Sequence, residues 1–131
     1  MPKVMGAFDV QTTPLPADTD VDTGGFGRLS LDKRFYGALD AESHGQMVAF
    51  RSAVAGSAGY VAMELVRGTL DGHAGSFVLQ HSGTMNRGAQ SLQLSVVPDS
   101  GTDALTGLAG TMQIIMDGTQ HSYDFEYTIP S

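Results

Sequence analysis

Gln120-His121-Ser122-Tyr123-Asp124-Phe125-Glu126-Tyr127-Thr128-Ile129 carries the clearest strand signal in the chain. Its residues alternate strictly. His121, Tyr123, Phe125 and Tyr127 share one parity, and Ser122, Asp124, Glu126 and Thr128 share the other. Successive side chains of a β-strand point to opposite faces, so this is a half-buried strand with its aromatic row turned inward.

Working back along the chain, the pattern repeats. Met112, Ile114 and Met116 oppose Thr111, Gln113 and Asp117, and Leu92, Leu94 and Val96 oppose Ser91, Gln93 and Ser95. Phe8 and Val10 take the inner face with Leu29, Leu31 and Phe35. Seventeen glycines punctuate the sequence, and the stretches between them are rich in Val, Leu, Phe, Tyr, Thr and Met, which favours strands and turns over helices. The expected strands are Val4–Thr12, Phe26–Gly37, Ser43–Val54, Gly59–Leu70, Gly75–Met85, Ser91–Val97, Thr106–Met116 and Gln120–Ile129.

Short connections such as Ala55-Gly56-Ser57, Asp71-Gly72-His73 and Asp117-Gly118-Thr119 join sequence neighbours as hairpins. An open meander of eight strands exposes two edges, and closure removes both. The expected fold is therefore all-β, a closed eight-stranded antiparallel meander barrel, with residues 1–131 as one domain. Two strands resist a face assignment. Gly59–Leu70 is apolar on both parities, and Gly75–Met85 is mixed, so an outer covering by another subunit or by the Thr13–Gly25 segment is expected there. That segment, with Pro14, Pro16, Asp18, Asp20 and Asp22, reads as a surface loop.

Composition narrows the function. Fourteen acidic against seven basic residues give a formal charge of −7, which repels phosphate backbones and anionic membranes and argues against nucleic-acid and membrane partners. No apolar run reaches the roughly 20 residues of a membrane helix. The amino terminus lacks the apolar core of a secretory signal. There is no cysteine, hence no disulfide or thiolate. A soluble cytoplasmic protein is the expectation.

The stretch Gly75-Ser-Phe-Val-Leu-Gln-His-Ser-Gly-Thr-Met-Asn-Arg-Gly88 resembles the signature of a bacterial family of unknown function whose barrels look like allene oxide cyclase. Arg28-Leu-Ser-Leu-Asp-Lys-Arg-Phe35, Gly56-Ser-Ala-Gly-Tyr-Val-Ala-Met-Glu64, Val96-Val-Pro-Asp-Ser-Gly-Thr102, Leu108-Ala-Gly-Thr-Met112 and His121-Ser-Tyr-Asp-Phe-Glu-Tyr127 extend the likeness over nearly the whole chain. The resemblance implies an allene-oxide-cyclase-like barrel whose interior accepts a small, largely apolar molecule. It carries no catalytic assignment, because a fold hosts many chemistries.

Candidate chemistry lies where polar residues interrupt apolar strands. Gln80, His81, Ser82, Thr84, Asn86 and Arg87 form a polar run, read either as a hydrogen-bond network fixing strand register or as ligand contacts. Glu64 interrupts Val61-Ala-Met-Glu-Leu-Val66. Buried, it needs a cation or several donors; facing outward, it needs neither. The expected ligand-binding set is Tyr60, Glu64, Gln80, His81, Arg87, His121, Tyr123 and Tyr127, with Lys33 joining Arg87 as an anion partner.

Other motifs dissolve on inspection. Asp22-Thr23-Gly24 and Asp99-Ser100-Gly101 read as turns rather than protease triplets. Asp18-Thr-Asp-Val-Asp22 lacks the register of a calcium loop. The four histidines show no zinc spacing, so no metal or cofactor is expected, although a barrel could bring His81 and His121 together. Three functions follow. The first is a non-catalytic binder of a small apolar or amphipathic molecule; the second is an isomerase or cyclase; the third is a filled structural module acting as a homo-oligomer.

Overall fold

A computed structural model describes residues 2–16 and 26–130. Eight strands close into an antiparallel barrel in which each strand pairs with its sequence neighbours and the last returns to the first. They are β1 (Lys3–Pro14), β2 (Gly27–Phe35), β3 (Leu39–Arg51), β4 (Ala58–Leu70), β5 (His73–Asn86), β6 (Ala89–Val96), β7 (Ala109–Asp117) and β8 (Gln120–Thr128). Closure is made by β1 against β8, from Lys3 opposite Glu126 to Phe8 opposite His121. The meander expected from alternation is the fold observed. No helix among the described residues is long and apolar enough to cross a membrane.

Strand ends depart from expectation for local reasons. β1 runs on to Pro14, which pairs with Leu29, while Leu15 donates its N–H to the Arg28 carbonyl at 2.9 Å. A proline fits as the last residue of a strand because its missing donor interrupts no further pairing. Residues 17–25, the rest of the expected loop, lie outside the described residues. β3 begins four residues before Ser43, because Leu39 and Ala41 belong to the core. β7 begins at Ala109, not Thr106, because the chain first makes a 3₁₀ turn at Asp103–Leu105 that sends Leu105 and Leu108 inside.

The two ends of the barrel differ. At the end holding the β2–β3, β4–β5 and β6–β7 connections, Phe35, Leu39, Leu70, Phe77, Leu105, Leu108, Tyr123, Phe125 and Tyr127 fill the interior. Phe77 stacks on Phe125 with ring centroids 5.9 Å apart, and Phe35 meets Tyr123 edge-on at 5.6 Å. Each buried ring contributes about 1.5–3 kcal/mol. At the other end the same inward parity continues as Val10, Leu29, Ile114, Leu92 and Met116, and these side chains are increasingly exposed. This end is open.

The ambiguous strands resolve by parity. On β4, Tyr60, Ala62, Glu64, Val66 and Leu70 turn inward while Val61, Met63 and Leu65 turn outward, Met63 being 52% exposed. With Val48 on β3 they make an apolar outer stripe.

Candidate functional site

The open end contains a cavity of about 660 Å³. Val10, Leu31, Met47, Ala49, Leu92, Ile114 and Met116 supply apolar wall, and Phe8, Lys33, Tyr60, His81 and His121 supply the polar and aromatic part. That volume lies within the roughly 300–1,000 Å³ of small-molecule sites.

Beneath the cavity, four strands contribute one connected polar cluster. Glu64 is 0% exposed, His81 3% and Lys33 8%. Glu64 Oε1 accepts hydrogen bonds from Lys33 Nζ at 3.1 Å and from His81 Nε2 at 2.7 Å. Its other oxygen accepts from the Ser43 hydroxyl. On the far side of the imidazole, His81 Nδ1 faces the Tyr60 hydroxyl at 3.5 Å. In the tautomer that carries its proton on Nε2, toward Glu64, Nδ1 is the acceptor and Tyr60 the donor.

Register builds the cluster. Lys33 on β2 is directly opposite Ser43 on β3. Ser43 pairs with Val66, which places Glu64 one diagonal step along the inner face of β4. His81 pairs with Ala62, so it lies diagonally between Glu64 and Tyr60. Diagonal neighbours on one face of a sheet are within reach of long side chains. Ala62 is small enough to leave space for the imidazole between its two partners. Tyr60 is directly opposite Gly83, where an added Cβ would come within 2.5 Å of the Tyr60 ring. Glycine at position 83 therefore lets the phenol ring lie close over β5.

Electrostatics follow from burial. Desolvation alone would push the Glu64 carboxyl up, but the hydrogen bond from His81, the Lys33 ammonium and the Ser43 hydroxyl together hold it below its ordinary value. Glu64 is thus a carboxylate. Burial, and then the Glu64 charge, push the Tyr60 phenol up, so it remains a protonated hydrogen-bond donor. The Lys33 ammonium also sits 5.1 Å from the Phe8 ring centroid and 5.7 Å from that of Phe35, in the range of cation–π attraction.

The structure gathers some of the expected residues and separates others. Tyr60, Glu64 and His81 meet at the cavity floor, and His121 joins the wall with its ring 5.3 Å from that of Phe8. Tyr123 and Tyr127 lie at the filled end. The Tyr123 hydroxyl donates to the Tyr36 carbonyl at 2.7 Å and accepts from Leu39 N–H at 3.2 Å. The Tyr127 hydroxyl donates to the Asp71 carboxylate; burial and then that bond push its phenol up to about 12. Gln80 points outward, as do Ser82 and Asn86, and Thr84 borders the cavity toward its mouth, so His81 is the one member of the polar run at the cavity floor. Arg87 occupies the β5–β6 turn with φ of 50° and does not line the cavity.

Sequence reading passed over Ser43 and Gly83. Ser43 had a signal, since it shares the parity of buried Leu39 and Ala41. Asp99-Ser100-Gly101 is a turn, with Asp99 at φ of 63° and the Ser100 hydroxyl accepting from Val78 N–H at 3.0 Å. Asp22-Thr23-Gly24 and the run from Asp18 to Asp22 fall outside the described residues. Among the described residues, no group of three or more His, Asp or Glu is placed to hold a metal ion.

One seam of the barrel is incomplete. β6 and β7 pair only at Leu94 with Met112 and Ser95 with Thr111, whereas β1 and β8 share six pairs and β4 and β5 thirteen. Toward the open end, residues 89–93 of β6 are exposed, and Gln90, Ser91 and Leu92 form one lip of the cavity facing Ile114 and Met116 on β7. The cavity is thus bordered on one side by strand edges that do not pair with each other.

Residues 4–127 match the model of a protein family of unknown function, DUF3224. A crystal structure of a protein of unknown function from that family, from Shewanella oneidensis MR-1, is 51% identical to this chain and superposes with a TM-score of 0.93, over 100% of this chain and 98% of that one. No curated protein matches the chain. A family match over nearly the whole length, joined to a full-length relative at that identity with the same fold, places this chain in the DUF3224 family.

Proposed function

We propose that the barrel binds a small apolar or amphipathic molecule in its open end. The observation that carries this reading is the cavity of about 660 Å³ whose walls are apolar and whose floor is a buried polar cluster. A site that only filled space would bring those walls together, as the other end of the barrel does. The experiment is a titration with the neutral fluorescent reporter N-phenyl-1-naphthylamine, on the natural chain and on Ala49→Trp, which sets an indole on the cavity wall and narrows it. Reporter fluorescence should rise with the natural chain and rise markedly less with the variant, whose circular dichroism stays that of the barrel. Equal enhancement by both proteins overturns the reading.

The Tyr60–His81–Glu64 chain supports a second reading, an isomerase- or cyclase-type proton transfer on the bound molecule. His81 Nδ1 would accept a proton from one carbon and return it to another, which needs no oxidant or cofactor. Retained binding with lost turnover in His81→Gln is its signature. The outer stripe of Val48, Val61, Met63 and Leu65 supports self-association as a separate proposal. Sedimentation of the natural chain against Met63→Lys tests it, with a lower mass expected for the variant.

A further inference from the structure

The floor of the cavity has an imbalance between donors and acceptors. Lys33 carries three N–H groups, and among the described residues its ammonium has one acceptor, Glu64 Oε1 at 3.1 Å. Among the same residues the Tyr60 hydroxyl is engaged only at 3.5 Å, the far limit of a hydrogen bond. The acceptors, in contrast, are occupied: Glu64 Oε1 takes two donors and its other oxygen takes Ser43. What is left at the cavity floor is donating capacity from two side chains that both line the cavity.

Charge narrows the partner further. The Lys33 ammonium already has a matching charge in the Glu64 carboxylate 3.1 Å away. A second carboxylate entering this desolvated place would lie near Glu64, and a like charge there is unfavourable. A cationic head would meet Lys33. An uncharged oxygen acceptor takes up the free N–H and O–H groups with neither penalty.

Resting on the reading of the cavity as a ligand site, we propose that the protein selects amphipathic molecules whose polar end is an uncharged carbonyl, held by Lys33 and Tyr60 with the apolar remainder against Met47, Leu92 and Ile114. Glu64 acts here as a positioning residue. It holds the ammonium and, through His81, the side of the site where the Tyr60 hydroxyl lies.

Displacement of N-phenyl-1-naphthylamine by four eight-carbon compounds tests this: methyl hexyl ketone, octanoate, octylammonium and octane. The ketone should displace the reporter at a concentration about tenfold or more below each of the others, the range of a hydrogen bond to a charged donor. Tyr60→Phe and the double variant Lys33→Met/Glu64→Gln should each bring the ketone's value toward that of octane while octane itself is unchanged. The double variant removes both charges together, so it stays folded where Lys33→Met alone leaves a buried carboxylate unmatched. Equal displacement by all four compounds, or a lead for octanoate or octylammonium, overturns the assignment and leaves the cavity reading standing. Reporter enhancement that persists unchanged in Ala49→Trp overturns the cavity reading, and this assignment with it.

Discussion

At the scale of single residues, Glu64 is a fully buried carboxylate held from three sides. A carboxylate with no exposure survives because three donors converge on it. Glu64→Gln removes the counter-charge of a buried ammonium and should destabilise the fold by about 3–5 kcal/mol, read as a shift in the urea midpoint at constant slope. Replacing the pair together, as Lys33→Met/Glu64→Gln, should cost less, because no charge is left unmatched and the amide oxygen still accepts from His81 or Ser43. Acid should act through the same carboxylate. Its folded value lies below the ordinary 4.5, so its contribution is complete above that pH and is lost as pH falls through the folded value. Stability measured against pH should therefore drop below about 4.5 more steeply in the natural chain than in Glu64→Gln. Parallel curves would contradict the assignment of that carboxylate. None of this was decidable from Val61-Ala-Met-Glu-Leu-Val66 alone, since both parities of that strand are apolar and either face could have held the charge.

At the scale of strands, the unpaired part of the β6–β7 seam is the weakest place in the closed sheet. Backbone groups on facing strand edges that do not pair with each other must be satisfied by water, and such edges open readily. Continuing the register of Leu94 with Met112 places Leu92 across from Ile114. The chain has no cysteine, so Leu92→Cys/Ile114→Cys introduces one defined thiol pair. Oxidation should tie the two strands together, slow reporter release in stopped flow by about tenfold if ligand passes between them, and reverse with reductant; a tenfold change corresponds to about 1.4 kcal/mol in the barrier. Release at the same rate in both redox states would mean that the end opening alone admits ligand. The inward row of β6 was legible in the sequence as Leu92, Leu94 and Val96. Its pairing was not, because alternation assigns a face and says nothing of how far two neighbouring strands stay together.

At the scale of the whole molecule, the barrel is divided into a filled half that carries stability and an open half that carries the site. Phe77→Ala, in the filled half, should cost about 3–5 kcal/mol and leave reporter affinity unchanged at temperatures where the fold persists. Ala49→Trp should do the reverse, weakening reporter binding with little loss of stability. A single substitution that moved both quantities equally would show that the halves are not independent.

The division also marks where sequence reading ends. Strict alternation from His121 to Tyr127, glycine-bearing turns between neighbours and the absence of any long apolar helix were enough to determine an eight-stranded closed meander and the inner row of most strands, because side-chain direction in a strand is a local property with a period of two. Tyr60, Glu64 and His81 could be singled out by the same local logic, as polar interruptions of apolar strands. That Tyr123 and Tyr127 pack one end while His121 lines the other, that Gln80 points away from His81, and that Lys33 and Ser43 complete the cluster depend on register and shear. Those are relations between residues tens of positions apart, set by how eight strands stagger as they close, and only the assembled barrel decides them.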